Sequence, residues 1–146
     1  MIERLNTTND RITEIINNSK IELKEDWQSD IEYRNFLNAV GFCNIILLGK
    51  GLKPFSAEEF IKVIYRMYSL RIFEKSIHPA MKRNLKNGDR KRLEELDLLN
   101  NWYYENFSGQ LHQTYNKAVD KKKSTQFDYL NGNEFIRVAL GFVKTS

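Results

Sequence analysis

Apolar positions recur along this chain at intervals of three and four, the spacing that places them on one face of a helix. The clearest run is Leu93, Leu96, Leu99, Tyr103, Phe107, Leu111, Tyr115 and Ala118. Its steps average about 3.6 residues, the α-helical period. The run predicts one long helix over 89–121, continuous across Ser108-Gly109 because the stripe keeps its phase there. Asp89 would cap its start, and Lys121-Lys122-Lys123 suit the negative end of its dipole.

Upstream, Ile12, Ile15, Ile16, Ile21 and Leu23 alternate with charged residues and predict a first helix over 9–27. Ser29-Asp30-Ile31-Glu32 reads as a capping box, in which the Ser hydroxyl and the Glu carboxylate each accept from the other's backbone N–H. A second helix would start there, pass through Phe36, Leu37, Val40 and Leu47, and become apolar all round after Ala39, as suits a covered central element. Gly49 to Pro54 ends it. The capping pattern recurs at Ser56-Ala57-Glu58-Glu59, opening a third helix that runs to about Ser76 with Phe60, Ile64, Met67 and Tyr68 on its apolar side. Pro79 draws His78 out of helical geometry, a short segment follows over 80–86, and Asn87-Gly88 reads as a stop. After a loop-like stretch from Ser124, with a short extended piece allowed over 125–129, a last helix from Asn133 carries Phe135, Ile136, Ala139, Leu140 and Val143.

The chain has 146 residues, of which 41% are apolar and 29% charged, enough to bury one sizeable core and too short for two. Two prolines and seven glycines are too few for the turns of a sandwich or barrel. The expected fold is therefore all-α: residues 1–146 as a single compact bundle of five or six helices. A lone cysteine, Cys43, excludes a disulfide scaffold and fits a reducing, cytoplasmic setting. The N-terminus lacks the basic start and apolar run of a signal peptide, and the most apolar stretch, Gly41–Gly49, is far short of the roughly twenty residues a membrane helix needs. No membrane partner is expected.

Charge is unevenly placed. Lys62, Arg66, Arg71, Lys75, Lys82, Arg83, Lys86, Arg90, Lys91 and Arg92 are opposed over 62–92 only by Glu74 and Asp89, a local charge of +8. Residues 1–35 carry −3. Such a field attracts phosphates or an acidic protein surface, unless the acidic first helix packs alongside and neutralises it. Tyr65, Tyr68 and Phe73 are interleaved with these cations and could stack on bases, although aromatics at this spacing also serve as core.

Chemistry is sparse. Gly49-Lys50-Gly51 lacks the glycine and hydroxyl of a phosphate loop, and Cys43, His78 and His112 do not make a metal set, so no cofactor and no metal are expected. Arg71-Ile72-Phe73-Glu74-Lys75-Ser76-Ile77-His78 resembles the Arg-x(4-6)-His motif of HEPN domains, small helical proteins that include metal-independent ribonucleases. The resemblance implies an Arg that holds a scissile phosphate and a His that moves a proton. It covers this octapeptide alone, has Ile72 where the family carries a polar residue, and is followed by Pro79. A helix-turn-helix using the helix from Phe55 to Tyr68 ranks lower, because the 49–55 connection is long for that motif. The leading expectation is a non-enzymatic intracellular binding protein of the small inhibitor, immunity or phage-accessory kind. Its ten cations would engage an acidic protein surface in preference to nucleic acid. The alternative is an RNA-binding protein or HEPN-like ribonuclease acting through Arg71 and His78.

Overall fold

The computed structural model describes residues 2–107 and 132–144, with side chains from Asn9 onward in the first segment and from Glu134 in the second. It is an all-α bundle. Among the described residues five α-helices run in order: α1 (Ile2–Asn18), α2 (Tyr33–Gly49), α3 (Ala57–Ser76), α4 (Asn87–Asn106) and α5 (Gly132–Gly141). Short 3₁₀ helices precede α2 (Trp27–Ser29) and α4 (Pro79–Asn84). Among the described residues there is no strand, and one isolated antiparallel bridge joins Leu23 to Val143.

Helix α3 is central and packs against α1, α2, α4 and α5. Phe60, on its first turn, is 1% exposed and meets the rings of Phe55, Trp102, Phe107 and Phe135 at centroid distances of 5.5 to 6.5 Å, namely 5.7, 6.3, 5.8 and 6.1 Å. A second aromatic group, Trp27, Tyr33, Phe36 and Phe142, ties the start of α2 to the end of α5. Ser56 caps α3 as the sequence predicts: its hydroxyl accepts from Glu59 N–H at 3.1 Å and the Glu59 carboxylate accepts from Ser56 N–H at 2.8 Å.

Polar side chains hold the connections. Asn44 on α2 donates to Phe55 O and accepts from Phe55 N–H, both at 2.8 Å, so one amide fixes the entry to α3. The two buried polar residues among those described, Asn9 and Asn106, are both amides with partners. Asn9 accepts from Trp102 Nε1–H at 3.1 Å, and Asn106 donates to Trp102 O at 2.7 Å while accepting from Lys50 Nζ at 2.8 Å. Lys50 also donates to Glu105 O at 3.4 Å, a cation placed on the carbonyl end of α4.

Several boundaries differ from expectation, each for a physical reason. Helix α1 stops at Asn18, not 27: Asn17-Asn18-Ser19 are weak helix formers, and Ser19 folds its hydroxyl back onto Ile15 O at 2.7 Å. The chain beyond is extended and pairs with the end of the second segment, Lys24 N–H donating to Phe142 O and Lys144 N–H to Glu22 O, both at 2.9 Å. No capping box forms at Ser29. Ser29 ends a 3₁₀ turn and Asp30 Oδ1 takes the N–H of Glu32 at 2.8 Å, so α2 starts at Tyr33. Helix α2 is also not covered all round, since Leu37, Ile45 and Leu48 face outward. Asn87-Gly88 is not a stop but the first turn of α4, whose N-cap is Lys86 while Asp89 supplies the acid of that turn.

The long stripe is realised in α4, where Leu96, Leu99, Tyr103 and Phe107 are buried. The helix ends at Asn106. Phe107 leaves helical geometry (φ −124°, ψ −31°) as its ring enters the core, and Ser108-Gly109 follow directly. The expected continuation to 121, including His112, and the loop from Ser124 lie outside the described residues.

Candidate functional site

The cations of the basic stretch fall into two sets according to what surrounds them. Lys62, Arg66 and Arg71 stand on α3, where α3 itself and α4 supply partners. Lys62 pairs with Glu58 one turn back at 3.3 Å. Arg66 and Glu95 form a two-pronged pair across α3 and α4, Nε to Oε1 at 2.8 Å and Nη2 to Oε2 at 3.0 Å. The hydrogen bond to Glu95 is the main reason the Arg66 pKa is raised, against an opposing effect of burial. This pair borders a cleft of about 350 Å³ between α3 and the end of α1, lined also by Asn18, Ile21 and Tyr65. Arg71 Nη2 donates to Asn100 Oδ1 at 3.1 Å.

The second set lies where α3 ends and α4 begins. Ile77 turns the chain out of the helix, and His78 follows in extended geometry with Nδ1 accepting from Ala80 N–H at 3.1 Å. Pro79 then occupies the first turn of the 3₁₀ helix, where its missing N–H costs nothing. Lys75, Lys82, Arg83, Lys86, Arg90, Lys91 and Arg92 project from this corner and are all exposed. Arg92 lies over the Phe73 ring at 4.9 Å. Among the described residues none of the other six has an ion-pair partner, and neither Asp10 nor Glu14 of α1 pairs with them.

A smaller cleft of about 50 Å³ opens where α3, α4 and α5 meet. Ile64, Met67 and Ile136 make its apolar walls, and Arg71, Tyr68 and Tyr104 stand at its margin. Both tyrosines are about half exposed, 47% and 51%. Tyr103 lines the same cleft, and its buried hydroxyl has no hydrogen-bond partner among the described residues. Burial above all, then the neighbouring Cys43 and Tyr104, push the Tyr103 pKa up, so the phenol keeps its proton.

His78 has left the helix on which seven residues would align it with Arg71, and it lines none of the clefts described above. Cys43 is fully buried in α2, and burial raises its thiol pKa. Among the described residues no group of three or more His, Cys, Asp or Glu is placed to hold a metal ion, and no helix is long and apolar enough to cross a membrane.

Sequence reasoning missed the small cleft. Its signal was available in Tyr104, an aromatic residue at a position that the helical stripe assigns to the solvent face, but the meeting of α3, α4 and α5 that joins it to Tyr68 and Ile136 is a tertiary fact. Comparison with protein-family models, with curated proteins and with solved structures finds no match for this chain.

Proposed function

We propose that this chain is a non-enzymatic, intracellular binding protein of the small inhibitor or immunity kind. It engages an acidic surface of a partner protein through Lys75, Lys82, Arg83, Lys86, Arg90 and Lys91. The observation that carries the reading is that these six cations are exposed at one corner of the bundle with no ion pair among the described residues. Like charges held together raise the local potential and speed the encounter with an anionic surface. Lys62 and Arg66 drop out of the interface, because their charges are already met within α3 and α4.

Protein is favoured over nucleic acid by the state of the interleaved aromatics. Phe73 lies beneath Arg92 and Tyr65 packs against the core, so of the three interleaved rings only Tyr68, about half exposed, is open to a base. A binding role is favoured over an enzymatic one because Cys43 and His78 are both committed to structure, one to the core and one to a helix cap. A single buried thiol also suits a reducing compartment. The test is a tagged pull-down from cells that make this chain, with and without nuclease, read by mass spectrometry. An acidic protein retained after nuclease and released as salt rises supports the reading. Loss of every partner after nuclease overturns it in favour of RNA or DNA.

A further inference from the structure

We infer that the small cleft between α3, α4 and α5 is the anchor point of that interface. It takes one aliphatic side chain, carried beside a carboxylate on an acidic helical segment of the partner. The inference rests on the proposed function for the partner's charge and adds where and how the partner is held.

Size limits the occupant. A cavity of about 150 Å³ accepts benzene, so a cleft of about 50 Å³ fits a branched aliphatic group and not a ring. Its lining fits the same group, with Ile64, Met67 and Ile136 supplying methyl and thioether contacts. The margin has the composition of interface hot spots, two tyrosines and an arginine around a desolvated pocket. Arg71 donates from one guanidinium nitrogen to Asn100 and has no ion pair among the described residues, so donors remain for a carboxylate.

Charge and direction agree with a helix as the carrier. Tyr68, Arg71, Ile72 and Lys75 stand at i, i+3, i+4 and i+7 on α3, so apolar and cationic groups alternate along one side leading from the cleft toward the basic corner. A segment with a leucine in the cleft and acids on its next turns would meet Arg71, then Lys75, then the cations of the following 3₁₀ helix.

The probe is a short helical peptide presenting one Leu between Glu residues, titrated into the ¹⁵N-labelled protein. The expected result is chemical-shift change centred on Tyr68, Arg71, Tyr103 and Tyr104, with affinity falling at least about tenfold when the peptide Leu becomes Ala. Tyr104→Ala and Arg71→Gln, at margin positions, should each weaken binding severalfold while the melting temperature of each variant shows that it is folded. Shifts confined to 79–92 and indifferent to Leu→Ala overturn the anchor and leave the basic surface standing. Absence of binding at the cleft, or equal binding there when Lys replaces Glu in the peptide, also overturns the inference.

Discussion

Phe60→Ala is the most demanding perturbation of the core, because the side chain is fully buried where α3, α4 and α5 converge. Its ring contacts Phe55, Trp102, Phe107 and Phe135, four rigid neighbours from three elements. Truncation removes the transfer free energy of the ring and leaves a void that flat, interlocked rings cannot collapse to fill. The cost should lie toward the upper end of the roughly 3 to 5 kcal/mol range for such changes. Against a total stability of about 5 to 15 kcal/mol, that is a large fraction. With a urea slope of about 2 kcal/mol/M the unfolding midpoint should fall by about 2 M. Phe60→Met, which keeps most of the volume, should cost about 1.5 kcal/mol or less. Urea unfolding followed by tryptophan fluorescence reads both variants, since Trp102 is one of the ring neighbours. A loss below about 1.5 kcal/mol for Phe60→Ala would refute the placement of Phe60 at the centre of the packing.

Ser56→Ala should lower stability by about 1 kcal/mol, because it leaves Glu59 N–H without its cap; an unchanged unfolding midpoint would show that the box contributes nothing. A double-mutant cycle of Arg66→Met with Glu95→Gln should give a coupling of about 1 kcal/mol that shrinks in high salt, the value for a well-formed but partly exposed pair. Zero coupling at low salt would contradict the two-pronged geometry. Cys43 should resist a thiol reagent at neutral pH in the folded protein and react at once in denaturant, since burial holds its pKa far above the usual thiol range. The thiolate fraction rises with pH, so raising the pH should speed labelling of the unfolded chain first. Rapid labelling of the native state would place Cys43 outside the core.

Where local chemistry decides, the sequence was readable. Ser56, with Pro54 and Phe55 before it and Glu59 at the third position, had a single good way to start a helix, and α3 begins there. Tyr103 and Phe107 were legible as core from spacing alone. At Ser29 the expected box gives way to a turn in which Asp30 Oδ1 takes the Glu32 N–H, while Trp27 and Tyr33 pack on Phe142, a contact between distant parts of the chain that no local pattern carries. The end of α1 has the same character: Ile21 and Leu23 keep a helical rhythm, but the bridge from Leu23 to Val143 holds them extended. At the candidate site, composition identified the cations and could not say which were already paired. Lys62 has its partner one turn back in Glu58, but that Arg66 is paired depends on where Glu95 falls in three dimensions.

The central claim is that the exposed cations serve a partner and not the fold. Charge reversal of Arg83 and Lys86 together to Glu separates the two roles in one protein, with melting temperature and the association rate of the captured partner measured side by side. Surface substitutions of this kind usually change stability by less than about 0.5 kcal/mol. The account predicts an almost unchanged melting temperature and a markedly slower association at low salt, a difference that narrows toward 0.15 M, where the Debye length is about 8 Å. An unchanged association rate, above all with a lowered melting temperature, would contradict it.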